Sequence, residues 1–364
     1  MRRLKMAVVG VGHLGQAHAR ILAGMANVDL VGVVDADRSQ AEAVASRCGT
    51  RAFTSHFELF GQIDAASIVT PTTYHHPIAR EFLSRRVPIL VEKPLALTLH
   101  EACELADLSH RHESILQVGH IERFNPAYEE LRSRAITPKF IEMERHGTFT
   151  GRSTDIGVVL DLMIHDLDLL LDLVGGPVAE IEAVGATTFG GHEDMVNARL
   201  RFASGCIAHL TASRMSPNPK RKLRIWAPEG YAGIDFVRKH LTLVQPSEEL
   251  RRRQFDAKLL QRDQRQQLQG EVFTRHLQTL ELDCNHGDQL TRELEDFVRC
   301  VQTGSPPRVT GEAGRDAIAL AERILQSVQA HRWNNSADGP IGPDSLPEPR
   351  GSLFETRESL PDAA

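Results

Sequence analysis

Aromatic residues supply only 5% of this 364-residue chain, and cysteine occurs five times. Cys48, Cys103, Cys206, Cys284 and Cys300 are scattered, with no C-x-x-C pair. That excludes a zinc knuckle and a disulfide scaffold and points to reduced thiols in a reducing compartment. Excess positive charge is also missing. Forty-two Lys+Arg against 48 Asp+Glu leave a net charge of −6 and an isoelectric point near 6.3, without the electrostatic footprint of a nucleic-acid binder. No stretch reaches the roughly 18 uncharged apolar residues that a bilayer span requires. The most leucine-rich segment, 158–174, is broken by Asp161, His165, Asp166, Asp168 and Asp172. The opening MRRLKMAVVGVG superficially resembles a secretion signal, but His13, His18 and Arg20 follow at once and no small-residue cleavage site is evident. The expectation is a cytoplasmic protein with no membrane and no nucleic-acid partner.

With 41% hydrophobic and 25% charged residues, the chain has the material for two globular domains. Strand-like runs at 4–9, 28–34, 65–70, 87–92 and 115–119 alternate with helical spacing at 14–25, 41–48, 77–85 and 98–112. Thr98 with Glu101 forms a capping box opening the last of these helices. Uncharged strands with helices between them predict a parallel sheet covered on both faces. Beyond residue 138 the pattern changes to strands separated by turns, at 140–147, 180–189, 194–203, 206–214, 222–228 and 231–237, which predicts an open, largely antiparallel sheet. The α/β reading is a dinucleotide-binding domain over 1–122, an α+β domain over 123–333 and a disordered tail over 334–364, where five prolines interrupt any apolar periodicity. The basic stretch 213–224, five basic residues and no acid, could contact a diphosphate, though a solvated loop is the commoner fate of such a run, and 247–282 reads as polar and helix-favouring.

Gly10, Gly12 and Gly15 sit where the first strand meets the first helix, and Asp35 ends the second strand. A lone G-x-G-x-x-G is weak, but here strand, helix and acid are all in place. Gly10 permits the turn, Gly12 lets a pyrophosphate approach, and Gly15 lets helix and strand pack closely, with His13 and Leu14 completing the loop. The helix N-terminus offers free N–H groups to the phosphates. Asp35 would accept hydrogen bonds from ribose hydroxyls, favouring NAD, while Arg38 keeps NADP as the minor alternative. Thr70, Pro71 and His75 follow the fourth strand and Glu92, Lys93 and Pro94 the fifth, at the carboxyl ends where open α/β sheets bind ligands. Thr70, Pro71 and His75 are expected to border the nicotinamide ribose, and His76 to lie at a surface helix start.

These motifs, in this order and spacing, resemble the Gfo/Idh/MocA family of sugar and polyol dehydrogenases, over about residues 4–333. The resemblance implies a Rossmann domain, a site role for Lys93 and a cis Lys93–Pro94 peptide. It extends to DLMIHDLDLLLDL (161–173), where Asp161, His165 and Asp168 match the second-domain motif. Read by spacing alone, Asp161, His165, Asp168 and Asp172 form one stripe on a helix that is apolar elsewhere, so its ionisable groups need partners or a cavity. Asp161 and His165 are assigned to the site, and Asp172 to solvent. No metal is expected, because oxidation of an alcohol by nicotinamide needs none and no dense ligand cluster accompanies the stripe.

GHIERFNPAYEEL (119–131) together with the helix stripe is most similar to the UDP-N-acetylglucosamine 3-dehydrogenase branch. Arg123 and Asn125 are polar candidates for a sugar pocket, with a helix-start ion pair of Glu122 and Arg123 as the alternative. Arg123, Arg152 and Arg214 are candidates to offset a diphosphate. The expected catalytic set is Lys93, Asp161 and His165. The imidazole suits proton transfer at neutral pH, while a desolvated lysine can serve as base as well. The resemblance implies a nucleotide-sugar substrate, a pyridoxal-phosphate aminotransferase acting next on the way to lipid A or another surface glycan, and a homodimer or homotetramer. Family members acting on free sugars or inositol, and a non-catalytic NAD-binding sensor, are the rivals.

Overall fold

A computed structural model describes residues 2–151, 155–334 and 339–346. Arg152 lies outside the described residues. Six strands, β1 (Leu4–Val9), β2 (Val28–Val34), β3 (Arg51–Phe53), β4 (Ala65–Ile68), β5 (Ile89–Glu92) and β6 (Leu116–Gly119), form one sheet in the order β3-β2-β1-β4-β5-β6. Every pairing in it is parallel. Central strands such as AASI and ILVE are buried at every residue, as strands covered on both faces must be.

Helices α1 (His13–Gly24), α2 (Arg38–Cys48), α3 (His75–Ser84) and α4 (Leu99–His112) supply the cover. Asp37 caps α2 through the Ser39 and Gln40 amides, and Gly49 ends it at φ +65°, a left-handed conformation that glycine takes without strain. Thr98 and Glu101 form the capping box of α4. Strand order reverses between β1 and β4, which opens a crevice at their carboxyl ends.

Asn125 then caps the short helix α5 (Pro126–Arg132), and α6 (Ile164–Val174) follows the strand β7 (Phe140–Thr148). The second sheet adds β8 (Val178–Ala186), β9 (Met195–Phe202), β10 (Ile207–Ser213), β11 (Met215–Ala227), β12 (Gly230–Asp235), β13 (His240–Pro246) and β14 (Leu277–Asp283). Its order is β14-β13-β12-β11-β7-β10-β9-β8, antiparallel throughout except for the parallel β7–β10 pair. Val196, Ala198, Leu200 and Phe202 alternate inward along β9 to join the core shared with α6.

Four expectations need correction. The basic stretch 213–224 is mostly strand β11, where Lys220 and Arg224 pair with Glu144 and Glu142 of the neighbouring β7, at 2.7 and 3.3 Å. The polar segment 247–282 holds only short helices, α7 (Glu248–Arg251) and α8 (Arg262–Glu271), before it ends in β14. Within the tail, Ile341 bridges Arg332 and the Trp333 indole donates to the Gly342 carbonyl at 3.0 Å, so residues 339–346 are docked through backbone groups that side-chain periodicity does not reveal.

The division at residue 122 also fails at the far end of the chain. Two helices follow β14, α9 (Gln289–Thr303) and α10 (Gly311–Ala330). Leu294, Phe297 and Val298 of α9 pack with Leu4, Met6, Val8 and Leu22, completing the core of the first sheet.

Candidate active site

The glycine loop is built as a phosphate cradle. Gly10 has φ +86°, and a Cβ there would fall 2.6 Å from the Val69 carbonyl oxygen. A Cβ on Gly15 would fall 2.0 Å from the Gly10 carbonyl oxygen. Nothing lies within 4 Å of the Cβ position of Gly12, so the backbone is open where a pyrophosphate must approach. His13 and Leu14 are exposed beside it at the start of α1. Asp35 accepts from the Val11 and Asp37 amides at 2.9 and 3.0 Å, which fixes its carboxylate at the crevice. Arg38 is turned toward Glu42, 3.6 Å away. On the facing loop the Thr70 hydroxyl is buried with no partner, in keeping with a ligand group to be met there. These features fit NAD.

His75 behaves differently from expectation. One ring nitrogen faces the Pro94 carbonyl at 2.7 Å and the other the Thr70 carbonyl at 2.8 Å. With both nitrogens engaged and the ring 1% exposed, it joins the two ligand loops instead of touching a ribose. Burial lowers its pKa, against the pull of the two carbonyls. His76 pairs with Glu104 at 2.9 Å on the outside of α3.

Lys93 leaves the end of β5 at a cis Lys93–Pro94 peptide and crosses to the second domain. Its Nζ donates to the Asp161 carbonyl at 2.8 Å and lies 3.2 Å from the Asp161 carboxylate, each side chain about one-fifth exposed. Asp161 is held by its own surroundings. Residues Val159–Met163 form one π-helical turn ahead of α6, a distortion frequent at functional sites. Glu193 fixes that turn through the Val158 and Val159 amides, and Arg214 bonds the Ile156 carbonyl at 3.2 Å. His165, on the first turn of α6, is half-buried with its Nδ1 unpartnered. Burial, then the charges of Lys93 and Arg145, keep its pKa well below the ordinary histidine range, so the ring is a neutral acceptor.

His120 was not singled out by motif reading. It ends β6, as Lys93 ends β5, and its ring stands edge-on to His165 with centroids 6.3 Å apart. Both of its nitrogens are buried without a partner, and burial lowers its pKa. The signal available in sequence was its position at a parallel-strand carboxyl end.

Several expected site residues belong to the scaffold. Arg123 clasps Asp168 at 2.6 and 2.9 Å and reaches Asp172 at 2.6 Å, so its guanidinium is used up. Asp172, assigned to solvent, is bound by Arg123, Arg132 and the Tyr128 hydroxyl. Asn125 is fully buried, donating toward Glu122 and Gln289 while capping α5. Glu122 pairs with Arg145, not with its neighbour Arg123, and Arg145 also binds Asp166. Arg214 is committed to Asp194 at 2.5 Å.

Glu92 likewise faces inward. One oxygen lies 3.1 Å from Nε2 of His18, whose Nδ1 meets the Ser67 hydroxyl at 2.9 Å. Glu293 of α9 completes the group, with one ligand atom from each of the three side chains within 4.8 Å of the others. Such spacing suits a cation, and equally a proton retained on Glu293. Burial and the charges of Glu92 and Asp296 push the Glu293 carboxyl well above the usual carboxylate range.

Family models match both halves of the chain. Residues 4–120 match the "oxidoreductase family, NAD-binding Rossmann fold" and 129–232 the "GFO/IDH/MocA C-terminal domain". A UDP-N-acetylglucosamine 3-dehydrogenase of Acidithiobacillus ferrooxidans is 34% identical over 332 residues, covering 91% of this chain and 99% of that one. The solved structure of that enzyme, GnnA, superposes with a TM-score of 0.78 at 33% identity, over 90% of this chain and 98% of the other. An inositol 2-dehydrogenase of Rhizobium meliloti is 24% identical over 90% of this chain and 98% of its own length. A levoglucosan dehydrogenase in complex with NADH shares the fold at 19% identity, with a TM-score of 0.75 over 90% of this chain and 97% of that one. With its dinucleotide cradle and the polar convergence at Lys93, this chain belongs to the Gfo/Idh/MocA family, as an NAD-dependent oxidoreductase acting on CH–OH groups.

Proposed function

We propose that the protein oxidises the C3 hydroxyl of UDP-N-acetylglucosamine to the 3-keto sugar. NAD, when bound, supplies the hydride acceptor. The hydroxyl proton passes to His165, which its surroundings keep neutral and ready to accept. Lys93, oriented by the Asp161 carbonyl and carboxylate, donates to the same oxygen and stabilises its developing negative charge. One C–H bond and one O–H bond break, and the products are the ketone, NADH and a proton. Asp161 is the positioning residue for Lys93.

The observation that carries this reading is the pairing of Lys93 with Asp161 at the carboxyl end of β5, with His165 within reach of the Lys93 charge, in a chain 34% identical to a relative named for this substrate over nearly that relative's whole length. Because oxidation of an alcohol by NAD is uphill at neutral pH, the reading includes a consuming partner, a pyridoxal-phosphate aminotransferase that turns the 3-keto sugar into a 3-amino sugar for lipid A or another surface glycan. It also includes a cytoplasmic location and a homodimer or homotetramer joined through the second sheet. Among the described residues no helix is long and apolar enough to cross a membrane.

The test follows NADH absorbance with UDP-N-acetylglucosamine, UDP-glucose, free glucose and myo-inositol, each with and without an aminotransferase and glutamate. Turnover is expected with UDP-N-acetylglucosamine and to increase on coupling. Turnover with inositol or glucose and with no UDP-sugar would leave the dehydrogenase and remove the nucleotide sugar.

A further inference from the structure

With Arg123 and Arg214 locked in ion pairs, two of the three arginines expected to face a diphosphate are spent, and the third, Arg152, lies outside the described residues. The second sheet offers another. On β11, Leu223 and Ile225 point into the core, so Arg221, two residues before Leu223, starts on the same inner face. It lies directly across from Arg145 on β7. Arg145 fixes what that face covers, because its guanidinium reaches Asp166 on α6, the residue next to His165. Arg221 thus stands where the inner face runs out of the core toward the first turn of α6.

The two arginines have opposite fates. Arg145 is buried between Glu122 and Asp166. Arg221 is exposed and makes no side-chain hydrogen bond or ion pair with any described residue. Its charge is nevertheless near enough to contribute to the lowered proton affinity of His165. Asp166, the acid within its electrostatic reach, already gives its hydrogen bonds to Arg145. Lys93, the other cation acting on His165, is taken by Asp161. A cation left without an acid at the mouth of a site is poorly explained by a neutral polyol and well explained by a substrate that brings its own negative charge.

We propose that Arg221 binds the diphosphate of the substrate and makes this site select nucleotide-linked sugars over free ones. The inference rests on the nucleotide-sugar reading above and supplies the residue that enforces it. A guanidinium is suited to the task, since its fork can take two phosphoryl oxygens at once.

The experiment compares wild-type enzyme, Arg221→Gln and Arg221→Lys, all with NAD bound. Titration with UDP and with uridine reads the diphosphate contribution, and steady-state kinetics with UDP-N-acetylglucosamine reads KM apart from kcat. Wild type is expected to bind UDP far better than uridine. In Arg221→Gln the loss of a charge-assisted contact raises the UDP Kd and the sugar KM about tenfold or more, with uridine binding and the KM for NAD unchanged. Arg221→Lys recovers part of the loss. Unaltered UDP affinity in a folded Arg221→Gln enzyme would overturn the inference and leave the substrate reading standing. A wild type that binds UDP no better than uridine would overturn both.

Discussion

Helix α6 and the turn before it carry four ionisable side chains along one stripe, and the two ends of that stripe have opposite fates. At the N-terminal end, Asp161 and His165 face Lys93, with exposure enough for a substrate to enter and His165 not fully bonded. At the C-terminal end, Asp168 and Asp172 are closed over by Arg123, with Arg132 and Tyr128 sealing the outer acid. The spacing is the same and only the partners differ. A guanidinium held on both sides by carboxylates satisfies its donors and excludes further chemistry. A lysine bonded to one carbonyl and one carboxylate still has a proton to give. What separates site from scaffold along this helix is therefore whether hydrogen-bonding capacity remains, and not charge.

The closed end should show the largest energetic effect. Asp168→Ala removes the bidentate partner of the buried Arg123 and leaves it Asp172 alone, and chemical denaturation should show a loss of about 3 kcal/mol. A change below 1 kcal/mol would mean that Arg123 finds other partners and the contrast between the two ends is false. At the open end the loss should be kinetic. Lys93→Met or His165→Asn should lower kcat by about 10²-fold or more while melting temperature and NAD binding stay near wild type. Near-normal turnover in both would make the open end structural too.

A pH profile sharpens the same point. Because the His165 pKa is lowered, the ring stays neutral as pH falls through about 6.5, the ordinary histidine value. The acid limb of kcat/KM in the free enzyme should therefore appear well below that value, and a limb centred there would show that His165 is not the base. The smallest effect should come from the nucleotide crevice, where Asp35 is intermediate: two backbone amides hold it, yet it remains at the surface. Asp35→Ala should weaken NAD by about tenfold and narrow its preference over NADP, measured by cofactor fluorescence. Tighter binding of NADP than NAD to wild type would break the ribose assignment.

Much of the fold was legible because it rests on local signals. Buried parallel strands are apolar at every residue, the three glycines each answer a steric demand, and Thr98 and Asp37 cap their helices through neighbours in sequence. That Lys93 would meet Asp161 was legible for the same reason, as both are motif residues at strand and helix ends. Arg123, Asn125 and His75 were misassigned because nothing local shows that an arginine will meet an aspartate 45 residues on, or that a histidine will bridge two backbone carbonyls. His120 was missed for the converse reason, and within the basic stretch 213–224 nothing local marks Arg221 as the arginine left without an acid. Their lack of partners is a property of the assembled sheets. The return of α9 to the first domain left no mark on its amphipathic pattern, which states that a face is buried without stating against what.

Glu293 makes that return sensitive to the medium. It sits where α9 meets the first sheet, with neither carboxyl oxygen bonded, and its proton is held more tightly folded than unfolded. The sign follows from linkage: a group that binds more protons in the native state withdraws stability as pH rises from its unfolded value, about 4.3, toward its native one. Rising pH therefore works against the docking of α9, which completes the core of the first sheet. Glu293→Gln, which keeps the shape and removes the acid, should raise the melting temperature at neutral pH and flatten its decline with pH. A lower melting temperature together with the loss of a copurifying metal would show instead that a cation joins His18, Glu92 and Glu293. With Glu293 protonated, the seam between the N-terminal and C-terminal segments holds best in acid and loosens as pH rises.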